Sequence, residues 1–363
     1  MTKTVNICDV CNEIFAGGDA PKNNMSQAPN ERHSIPIFSN GEENEGLYGY
    51  TDKARVTQPS ITVSARGTIG YTAIRNTPFV PIVRLITLIP NPELIDINYL
   101  YYAVRNYKFD GSGTSIPQLT VPSIKKYSFP LPTKEEQKRI ALLLDNLCEL
   151  IEKRKKQLAK LDELVKARFV EMFEDLNEED TLINLCHFID YRGKTPEKTE
   201  CGLPFITAKN VKMHHMSFDT QEFISKDTYD KVMTRGFPKI GDVVFTTEAP
   251  LGNVCRIPYI DTEFYIGQRI ITMQTDYLEP AYLEYALASD EFKRKIEEKS
   301  SGSTVTGIRS KLLEQLTIPV PDRALQKQFT FFVEQVDKSK IAVQKALDEA
   351  QTLFDSLMQQ YFG

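Results

Sequence analysis

The feature that most constrains the fold is a heptad pattern that occurs twice in the chain. From residue 140 onward, apolar side chains return with the alternating four-and-three spacing of a coiled-coil seam, and the same steps recur 189 residues later. The two segments predict helices of about 40 residues, each roughly 60 Å long at 1.5 Å per residue. The seam positions are Ile140, Leu144, Leu147, Ile151, Leu158, Leu161 and Val165, and then Val333, Val336, Val343, Leu347, Phe354 and Leu357.

A few polar residues interrupt this seam, and they do not coincide in the two copies. Arg154 and Arg168 break the first copy, whereas Lys340 breaks the second. A long helix with a single apolar face needs a partner to cover that face, and this chain contains two such helices. The pattern therefore favours an antiparallel coiled coil formed within one chain.

The repeat extends into the segments that precede the helices, as in a duplicated unit. Residues 64–70 align with 246–252, and from the alignment of 112–116 with 301–305 onward the offset stays at 189. Loops tolerate insertions, whereas one inserted residue would rotate a coiled-coil seam away from its partner. The sequence therefore predicts two copies of one globular domain, each followed by a long helix.

We predict a mixed α/β fold, in which two repeated α+β domains are joined by two long helices that form an antiparallel coiled coil with pseudo-two-fold symmetry. Runs of β-branched residues dominate each domain, and helical spacing is found at 98–107 and 279–299. The predicted boundaries are 1–132 for the first domain, 133–174 for the first spacer helix, 175–321 for the second domain and 322–363 for the second helix.

Composition limits the classes of protein that remain. The 363 residues are 41% hydrophobic and 26% charged, as in a globular protein of more than one domain. No apolar run approaches a bilayer span, the N-terminus lacks a signal-peptide pattern, and six scattered cysteines suit a reducing compartment. We therefore expect a cytoplasmic protein without a membrane segment. Because the net charge is −5, any contact with nucleic acid must come from local basic surfaces.

No pattern in the sequence is interpreted as a catalytic or metal site. Cys8 and Cys11 have the spacing of a zinc or redox pair, but no second pair follows, so we place them on the apolar face of a short helix. His33 and the pair His214-His215 lie in predicted polar loops, and we do not assign them a glutamate or cysteine partner. A phosphate-binding loop, a dinucleotide fingerprint and the Asn/Asp-Pro-Pro-aromatic motif of an amino-methyltransferase are also missing. We expect a binding protein.

Polar residues suited to nucleic-acid contacts are found in the predicted loops of both domains. Arginine reads guanine and asparagine or glutamine reads adenine in the major groove, whereas lysine and hydroxyl groups mostly contact phosphate. Any single one of them is more often an ordinary solvated side chain. The Ser-Gly loops recur in both domains and allow a close backbone approach to phosphate. The candidates are Lys22, Asn23, Arg32, Arg55, Arg66, Arg75, Ser112, Thr114, Ser115 and Gln118 in the first domain, and Arg192, Lys194, Lys209, Asn210, Lys212, Gln268, Arg269, Ser303, Thr304 and Arg309 in the second, with Arg256 as a further possibility.

Together these elements resemble the specificity subunit of type I restriction-modification systems. In each copy, a Ser-Gly loop precedes a strand that ends in Pro-x-Pro and a long helix with an early glutamine. The matching stretches are SGTSIPQL…FPLPTKEEQKRI and SGSTVTGI…IPVPDRALQKQF, with GDVVFTTEAPLGNV in the second domain. The resemblance covers essentially the whole chain.

The resemblance implies two target-recognition domains, each reading one half of a bipartite site in double-stranded DNA, and spacer helices that set the gap and dock methyltransferase subunits. It also implies a non-catalytic chain whose partners are two modification subunits and the restriction subunits. S-adenosylmethionine, and ATP with magnesium for restriction, would be bound by those partners, so no cofactor is expected in this chain. The pairs Pro59-Ser60 and Gly241-Asp242 differ between the domains, which indicates two different half-sites.

Two alternatives remain open from the sequence. The chain could serve a methyltransferase that acts without restriction, since the nuclease would be a separate chain. It could also be a non-catalytic scaffold whose two homologous domains bind protein. A basic surface shared by both domains would favour DNA, whereas acidic or apolar surfaces would favour a protein partner.

Overall fold

The computed structural model describes residues 3–21, 24–107, 118–176, 178–191, 193, 195–267, 269–299 and 307–363. The chain forms two compact units, of which the first combines Met1–Lys155 with Gln344–Gly363 and the second is Lys156–Val343. Each unit therefore contains one globular domain and a part of each long helix. The four predicted boundaries, at 1–132, 133–174, 175–321 and 322–363, stay a prediction.

The first unit is built on two small sheets. They have the strand orders β2-β8-β5-β6 and β4-β3-β7, and β1 pairs separately with β9. The strands are β1 (Lys3–Asn6), β2 (Cys11–Ala16), β3 (Ile35–Phe38), β4 (Leu47–Thr51), β5 (Ser60–Val63), β6 (Thr72–Arg75), β7 (Val80–Pro81), β8 (Ile86–Pro90) and β9 (Ser128–Leu131). The helices are α1 (Ile97–Asn106), α2 (Val121–Ile124) and α3 (Lys134–Phe173), with 3-10 turns at Ile7–Asp9 and Glu43–Gly46. We call the part from β1 to β9 the first domain.

The second unit repeats this plan. Its sheets have the orders β11-β19-β16-β17 and β15-β12-β18, with the separate pairs β10-β20 and β13-β14. The strands are β10 (Glu179–Thr181), β11 (His187–Asp190), β12 (Leu203–Ile206), β13 (Val211–Lys212), β14 (His215–Met216), β15 (Phe223–Ile224), β16 (Val243–Thr247), β17 (Leu251–Arg256), β18 (Tyr265–Ile266), β19 (Ile270–Gln274) and β20 (Thr317–Pro319). The helices are α4 (Leu182–Leu185), α5 (Lys226–Val232), α6 (Pro280–Ala288), α7 (Asp290–Lys299), α8 (Ser310–Leu313) and α9 (Arg323–Phe362). We call the part from β10 to β20 the second domain.

The shared topology of the two domains confirms the predicted duplication. Both large sheets place the same four strands in the same order, and both small sheets contain one parallel pair. In that pair Ile37 lies beside Val80 in the first domain, and Phe205 lies beside Tyr265 in the second. Parallel strands need a long crossover connection, so the repetition of this pair is a specific topological match.

A buried glutamine connects each long helix to the domain before it. Gln137 accepts a hydrogen bond from the backbone N–H of Asp96 at 2.8 Å, and Gln326 accepts one from the N–H of Glu279 at 2.8 Å. Each side chain also donates to a proline carbonyl just before its helix, at 2.9 Å and 2.8 Å. A buried polar group left unpaired costs free energy. The early glutamine noted in the sequence therefore has a structural role in both copies.

The two 40-residue helices pack with opposite ends together. In the first unit, Arg139 near the start of α3 lies 3.4 Å from the hydroxyl of Tyr361 near the end of α9. In the second unit, Asp162 of α3 pairs at 2.5 Å with Lys340, the polar interruption of the seam. These contacts confirm the antiparallel coiled coil. The seam residues Leu158, Leu161, Leu347 and Leu357 are half-buried and the others are buried, namely Ile140, Leu144, Leu147, Ile151, Val165, Val333, Val336, Val343 and Phe354.

The structure corrects two local predictions. The helix predicted over 279–299 is divided into α6 and α7, because Ser289 has an extended backbone and its hydroxyl accepts a hydrogen bond from Phe292 N. Cys8 lies in a 3-10 turn and is exposed, while Cys11 begins β2, so the two cysteines do not share a helical face. None of the described helices has the length and apolar character that crossing a membrane requires.

Candidate nucleic-acid interface

Two arginines and a glutamine that are distant in sequence meet on the surface of the first domain. Gln118 Oε1 accepts hydrogen bonds from Arg66 Nε at 3.1 Å and from Arg66 Nη2 at 2.8 Å. Arg84 Nη1 lies 3.5 Å from the same oxygen. Both arginines are exposed and Gln118 is half-buried. We call these three residues the Arg66 cluster.

Hydrogen bonds to the neighbours of the Arg66 cluster hold it together. The side chain of Asn40 accepts from Ala65 N at 2.7 Å and donates to Val83 O at 2.7 Å. Leu119 N donates to Ala65 O at 2.9 Å. Since Ala65, Val83 and Leu119 each adjoin one residue of the cluster, these bonds fix the three backbone segments relative to one another.

The turn between β7 and β8 has an unusual backbone. Val83 and Arg84 have φ angles of 51° and 63°, in the left-handed region that a β-branched residue rarely adopts. Their N–H groups donate to Gly18 O at 2.8 Å and Gly17 O at 3.1 Å. A Cβ at Gly17 would lie 2.7 Å from the carbonyl carbon of Pro81, so only glycine permits this approach. Backbone outliers of this kind cluster at ligand-binding sites.

The second domain has other side chains at the equivalent place. Glu248 and Arg269 occupy the positions of Arg66 and Arg84, and Glu248 Oε1 lies 3.2 Å from Arg269 Nε. We call these two residues the Glu248 pair. Gly307 takes the position of the cluster's glutamine, and a Cβ there would lie 3.3 Å from the Cβ of Glu248. The same surface is therefore purely cationic in one domain and carries an ion pair in the other.

A second polar surface of the first domain is concave. Lys53, Arg55 and Asn24 line a cavity of about 750 Å³ together with Asp52. The guanidinium carbon of Arg55 lies 4.3 Å from the centre of the Phe15 ring, a favourable cation–π distance. Asn24 Nδ2 donates to Asp52 Oδ1 at 2.5 Å, and this hydrogen bond lowers the pKa of the Asp52 carboxyl. The cavity therefore combines two cations, Lys53 and Arg55, with two carboxylates, Asp19 and Asp52.

Two candidate residues are committed to internal contacts. Arg75 has a side chain only 4% exposed, which lies 2.9 Å from Glu45 Oε2 and donates to Glu45 O at 2.6 Å. Burial lowers the pKa of Arg75, and the adjacent Glu45 partly offsets that effect. Asn210 is also buried, and its Oδ1 accepts from Thr207 N at 2.9 Å. Both side chains shape loops from within and do not face the solvent.

The other described candidates are exposed and separate from one another. Arg32 lies on a loop of the first domain, and Lys209 and Lys212 lie on either side of Asn210. Arg309 precedes α8, where its carbonyl accepts from the first-turn N–H groups. Among the described residues, no hydrogen bond or ion pair joins them to the Arg66 cluster or the Glu248 pair. The remaining candidates and the Ser-Gly loops lie outside the described residues: Lys22, Asn23, Ser112, Thr114, Ser115, Arg192, Lys194, Gln268, Ser303 and Thr304.

A charged network links the second domain to α9 within the second unit. Glu284, whose side chain is 1% exposed, lies 2.6 Å from Arg256 Nε and 2.9 Å from His214 Nδ1. Arg256 Nη2 also reaches Asp337 Oδ2 of α9 at 3.1 Å. The ring of His214 stacks on Tyr285 with centroids 4.2 Å apart. Burial by itself would lower the pKa of Arg256, but the two carboxylates outweigh it and the pKa is raised.

Arg84 and the network around Glu284 were not predicted from the sequence, for different reasons. Arg84 had a readable signal, because residues 84–87 read RLIT and 269–272 read RIIT at the same place of the repeat. The network around Glu284 had none, since its members are scattered and no local spacing connects them. Arg256 was a candidate for DNA contact and is instead occupied by two carboxylates.

The described residues offer hydrogen bonding and charge, without a metal or nucleophile arrangement. No group of three His, Cys, Asp or Glu residues within them is placed to hold a metal ion. Burial raises the pKa of Cys11 to about 12, and the nearby Cys8 adds to the effect. Since the thiolate is the reactive form, Cys11 is unreactive at neutral pH.

Comparison with known proteins assigns the family. A model of the type I restriction modification DNA specificity domain matches the chain twice, at residues 2–162 and 178–350. The chain belongs to this family. The two matches coincide with the two halves of the repeat, one for each globular domain, and they confirm the family that the repeated motifs indicated.

Two curated relatives show how far the similarity extends. A Mycoplasma pneumoniae protein named type I specificity subunit S.MpnORF89P is 38% identical over 161 residues, which cover 41% of this chain and 48% of that protein. The type I restriction enzyme MjaVIII specificity subunit of Methanocaldococcus jannaschii is 24% identical over 294 residues, 70% of this chain and 68% of that one. The chain thus spans about half the length of the first of these relatives.

Solved structures share the fold. The crystal structure of a type I restriction-modification S subunit from M. genitalium aligns with a TM-score of 0.63 at 18% identity, covering 100% of this chain and 96% of that one. A structure from a study of type I R-M complex assembly aligns with a TM-score of 0.59 at 17% identity, covering 99% and 97%. These alignments confirm the predicted mixed α/β fold with its long helices.

Proposed function

We propose that this chain is the DNA-recognition subunit of a type I restriction-modification complex and has no catalytic activity of its own. Each globular domain reads one half of a bipartite site in double-stranded DNA. One observation carries the proposal: two domains of one topology, each matched by the DNA specificity model, carry exposed polar side chains on equivalent turns.

The difference between the equivalent turns supports two different half-sites. The Arg66 cluster is cationic, whereas the Glu248 pair includes a carboxylate. Base edges are read by the donors and acceptors that a protein presents in the groove. Two domains with different donors and acceptors at one place should prefer different bases, so the complete site is asymmetric.

The two long helices set the gap between the half-sites and dock two modification subunits, which bind S-adenosylmethionine and methylate adenine. Restriction subunits, with ATP and magnesium, join the same complex in the cytoplasm. The support is the uninterrupted length of both helices. A packed helix keeps a fixed length, whereas a flexible linker of the same number of residues samples many distances.

Methylation mapping tests the recognition role directly. The full chain is expressed with a type I modification subunit of the same genome in a host that lacks other adenine methylation, and the host DNA is sequenced for methylated bases. We expect a stable complex and one methylated adenine in each half of a split, asymmetric motif. The matched control is the modification subunit expressed alone. A stable complex that neither binds nor methylates DNA would contradict the proposal and indicate a protein scaffold.

A paired heptad deletion tests the spacing role. Removing 152–158 and 341–347 together keeps each seam in register, because seven residues are one full repeat. At 1.5 Å per residue the helices shorten by about 10 Å, or about three base pairs at roughly 3.4 Å each. We expect the half-sites to be unchanged and the gap between them to shorten by that amount. An unchanged gap in an active complex would rule out the spacing role.

A further inference from the structure

The Arg66 cluster presents hydrogen-bond donors and no available acceptor. Its one acceptor atom, Gln118 Oε1, already receives two bonds from Arg66 at 3.1 Å and 2.8 Å, with Arg84 Nη1 at 3.5 Å. Guanidinium groups contain no acceptor. Within the described residues, nothing accepts from the Gln118 amide nitrogen. The cluster therefore suits a ligand edge that only accepts hydrogen bonds.

This geometry restricts what Gln118 can read. A glutamine that recognises adenine must accept from N6 while it donates to N7. Because Arg66 occupies the Gln118 oxygen, that pairing is not available without breaking two hydrogen bonds to a cation. Guanine presents two acceptors in the major groove, O6 and N7, which arginine binds bidentately. Phosphate oxygens also only accept hydrogen bonds, so they are a second possible ligand for the cluster.

The Glu248 pair has the opposite capacity. Arg269 holds Glu248 Oε1 at 3.2 Å, and the Glu248 side chain is 42% exposed. No hydrogen bond within the described residues uses Glu248 Oε2. An ionised carboxylate accepts from the N4 amino group of cytosine, and it repels a phosphate of the same charge. The pair therefore suits a base edge that donates.

We propose that these two equivalent sites determine the sequence specificity of the two domains. The Arg66 cluster reads a guanine in the first half-site, and the Glu248 pair reads a cytosine in the second half-site. The inference rests on the proposed DNA-recognition function, because each domain must face the major groove with this turn. The constrained backbone at Val83 and Arg84 supports this proposal, because hydrogen bonds to two other segments fix Arg84 in position.

Three variants of the full chain, assembled with its modification subunits, separate base reading from phosphate contact. Arg66→Lys keeps the charge but loses the bidentate fork, whereas Arg66→Ala loses both. We expect both to reduce discrimination at one guanine of the first half-site by roughly 5- to 140-fold, with the second half-site unchanged. Glu248→Gln should relax one cytosine of the second half-site and leave the first half-site unchanged.

The measurements are methylation mapping and binding to duplexes with single-base changes, and each result decides the proposal. Lys126→Ala, an exposed cation of the first domain, serves as the control and should leave both half-sites unchanged. If Arg66→Ala weakens binding to all sequences alike and Arg66→Lys restores it, Arg66 contacts phosphate and base reading is refuted. Unchanged motifs in all variants refute the inference while the wild-type motif upholds the proposed function. A wild-type complex that neither binds nor methylates DNA refutes both.

Discussion

The two globular domains share one topology and both pack aromatic rings against the long helices, but the second domain adds a buried charged network to this contact. In the first unit, Tyr102 of α1 packs against Phe354 of α9 with ring centroids 6.2 Å apart. In the second unit, Arg256 of β17 joins the buried Glu284 of α6 to Asp337 of α9, at 2.6 Å and 3.1 Å. The duplicated fold fixes where a domain meets the helices, and it leaves the type of contact free to change.

The equivalent positions show how complete the change is. Arg256, Glu284 and Asp337 correspond in the repeat to Ile74, Tyr101 and Cys148, so three charges in one domain replace three neutral side chains in the other. Burying an ion pair carries a desolvation penalty that an apolar contact avoids. The charged network therefore does not attach the domain to α9 more strongly than an apolar contact would. Its hydrogen bonds form in one geometry, whereas apolar surfaces tolerate small displacements.

The largest expected effect comes from removing one partner of the network. Arg256→Met leaves the buried Glu284 carboxylate with His214 as its one remaining side-chain partner among the described residues. Breaking a buried pair in this way costs about 3–5 kcal/mol of unfolding free energy. Hydrogen exchange of the full chain should show faster exchange in β17 and α6, with β6 and α1 unchanged. The exposed Arg294 provides the control variant Arg294→Met, which should change neither region.

A second substitution sharpens the comparison between ionic and apolar attachment. Adding Glu284→Leu to Arg256→Met removes both buried charges, so that these two positions are uncharged, as Ile74 and Tyr101 are in the first unit. Because replacing a whole buried pair by apolar groups is often neutral, the double variant should recover much of the protection lost in β17 and α6. A double variant that is as unstable as the sum of two damaging changes would show that the network itself is required.

The aromatic contact of the first unit should be nearly as sensitive to truncation. Phe354→Ala removes a buried ring that packs on Tyr102 and should lower the unfolding free energy by about 3 kcal/mol, the lower end for such a change. Faster exchange is expected in α1 and the end of α9, while β17 stays protected. Its neighbour Leu353 is 49% exposed, so Leu353→Ala should shift stability by less than about 0.5 kcal/mol. Equal effects of the two variants would contradict the assigned packing.

The buried glutamine that both units share should contribute a smaller amount to stability, of similar size in each unit. Gln137→Ala and Gln326→Ala leave buried backbone groups unpaired, at about 1–3 kcal/mol each. Gln137 makes one more hydrogen bond, to Leu94 O at 3.2 Å, so its loss should cost more. Thermal unfolding of the full chain measures both, with the exposed Gln351→Ala as the control. A reversed order would mean that burial and not hydrogen bonding sets the cost.

The sequence predicted the repeated parts of this molecule better than the parts that differ. The heptad spacing and the constant offset of 189 determined the antiparallel helices, because packing along a seam leaves little freedom in register. Arg66 and Gln118 were both candidates, yet their hydrogen bond depends on a long-range contact that brings β5 close to the segment before α2. Arg75 was a candidate for nucleic-acid contact and is instead buried beside Glu45. The spacing of residues along the sequence indicates local secondary structure, but it does not indicate which loops lie close together in the fold.

The smallest expected effect concerns a position where the second domain has a titratable side chain and the first domain does not. Asp242 of the second domain stands where the first has Ser60, and burial raises the pKa of the Asp242 carboxyl above its usual value. The folded state then holds the proton to a higher pH than the unfolded state does. Stability contributed by this group is therefore lost as the pH rises from the unfolded pKa, about 3.9, through the folded pKa.

Asp242→Asn tests this pH-dependent loss of stability with little structural change. One carboxylate oxygen accepts both hydrogen bonds, from Lys239 N at 2.7 Å and from Gln274 Nε2 at 2.6 Å, and an amide oxygen can accept the same two. Urea unfolding between pH 4 and pH 7 should show the variant gaining on the wild type as the pH rises. Ser60→Ala in the first domain, which removes no titratable group, should give a difference that does not change with pH. Parallel curves for Asp242→Asn and the wild type would mean that the two hydrogen bonds stabilise the carboxylate enough to cancel the effect of burial.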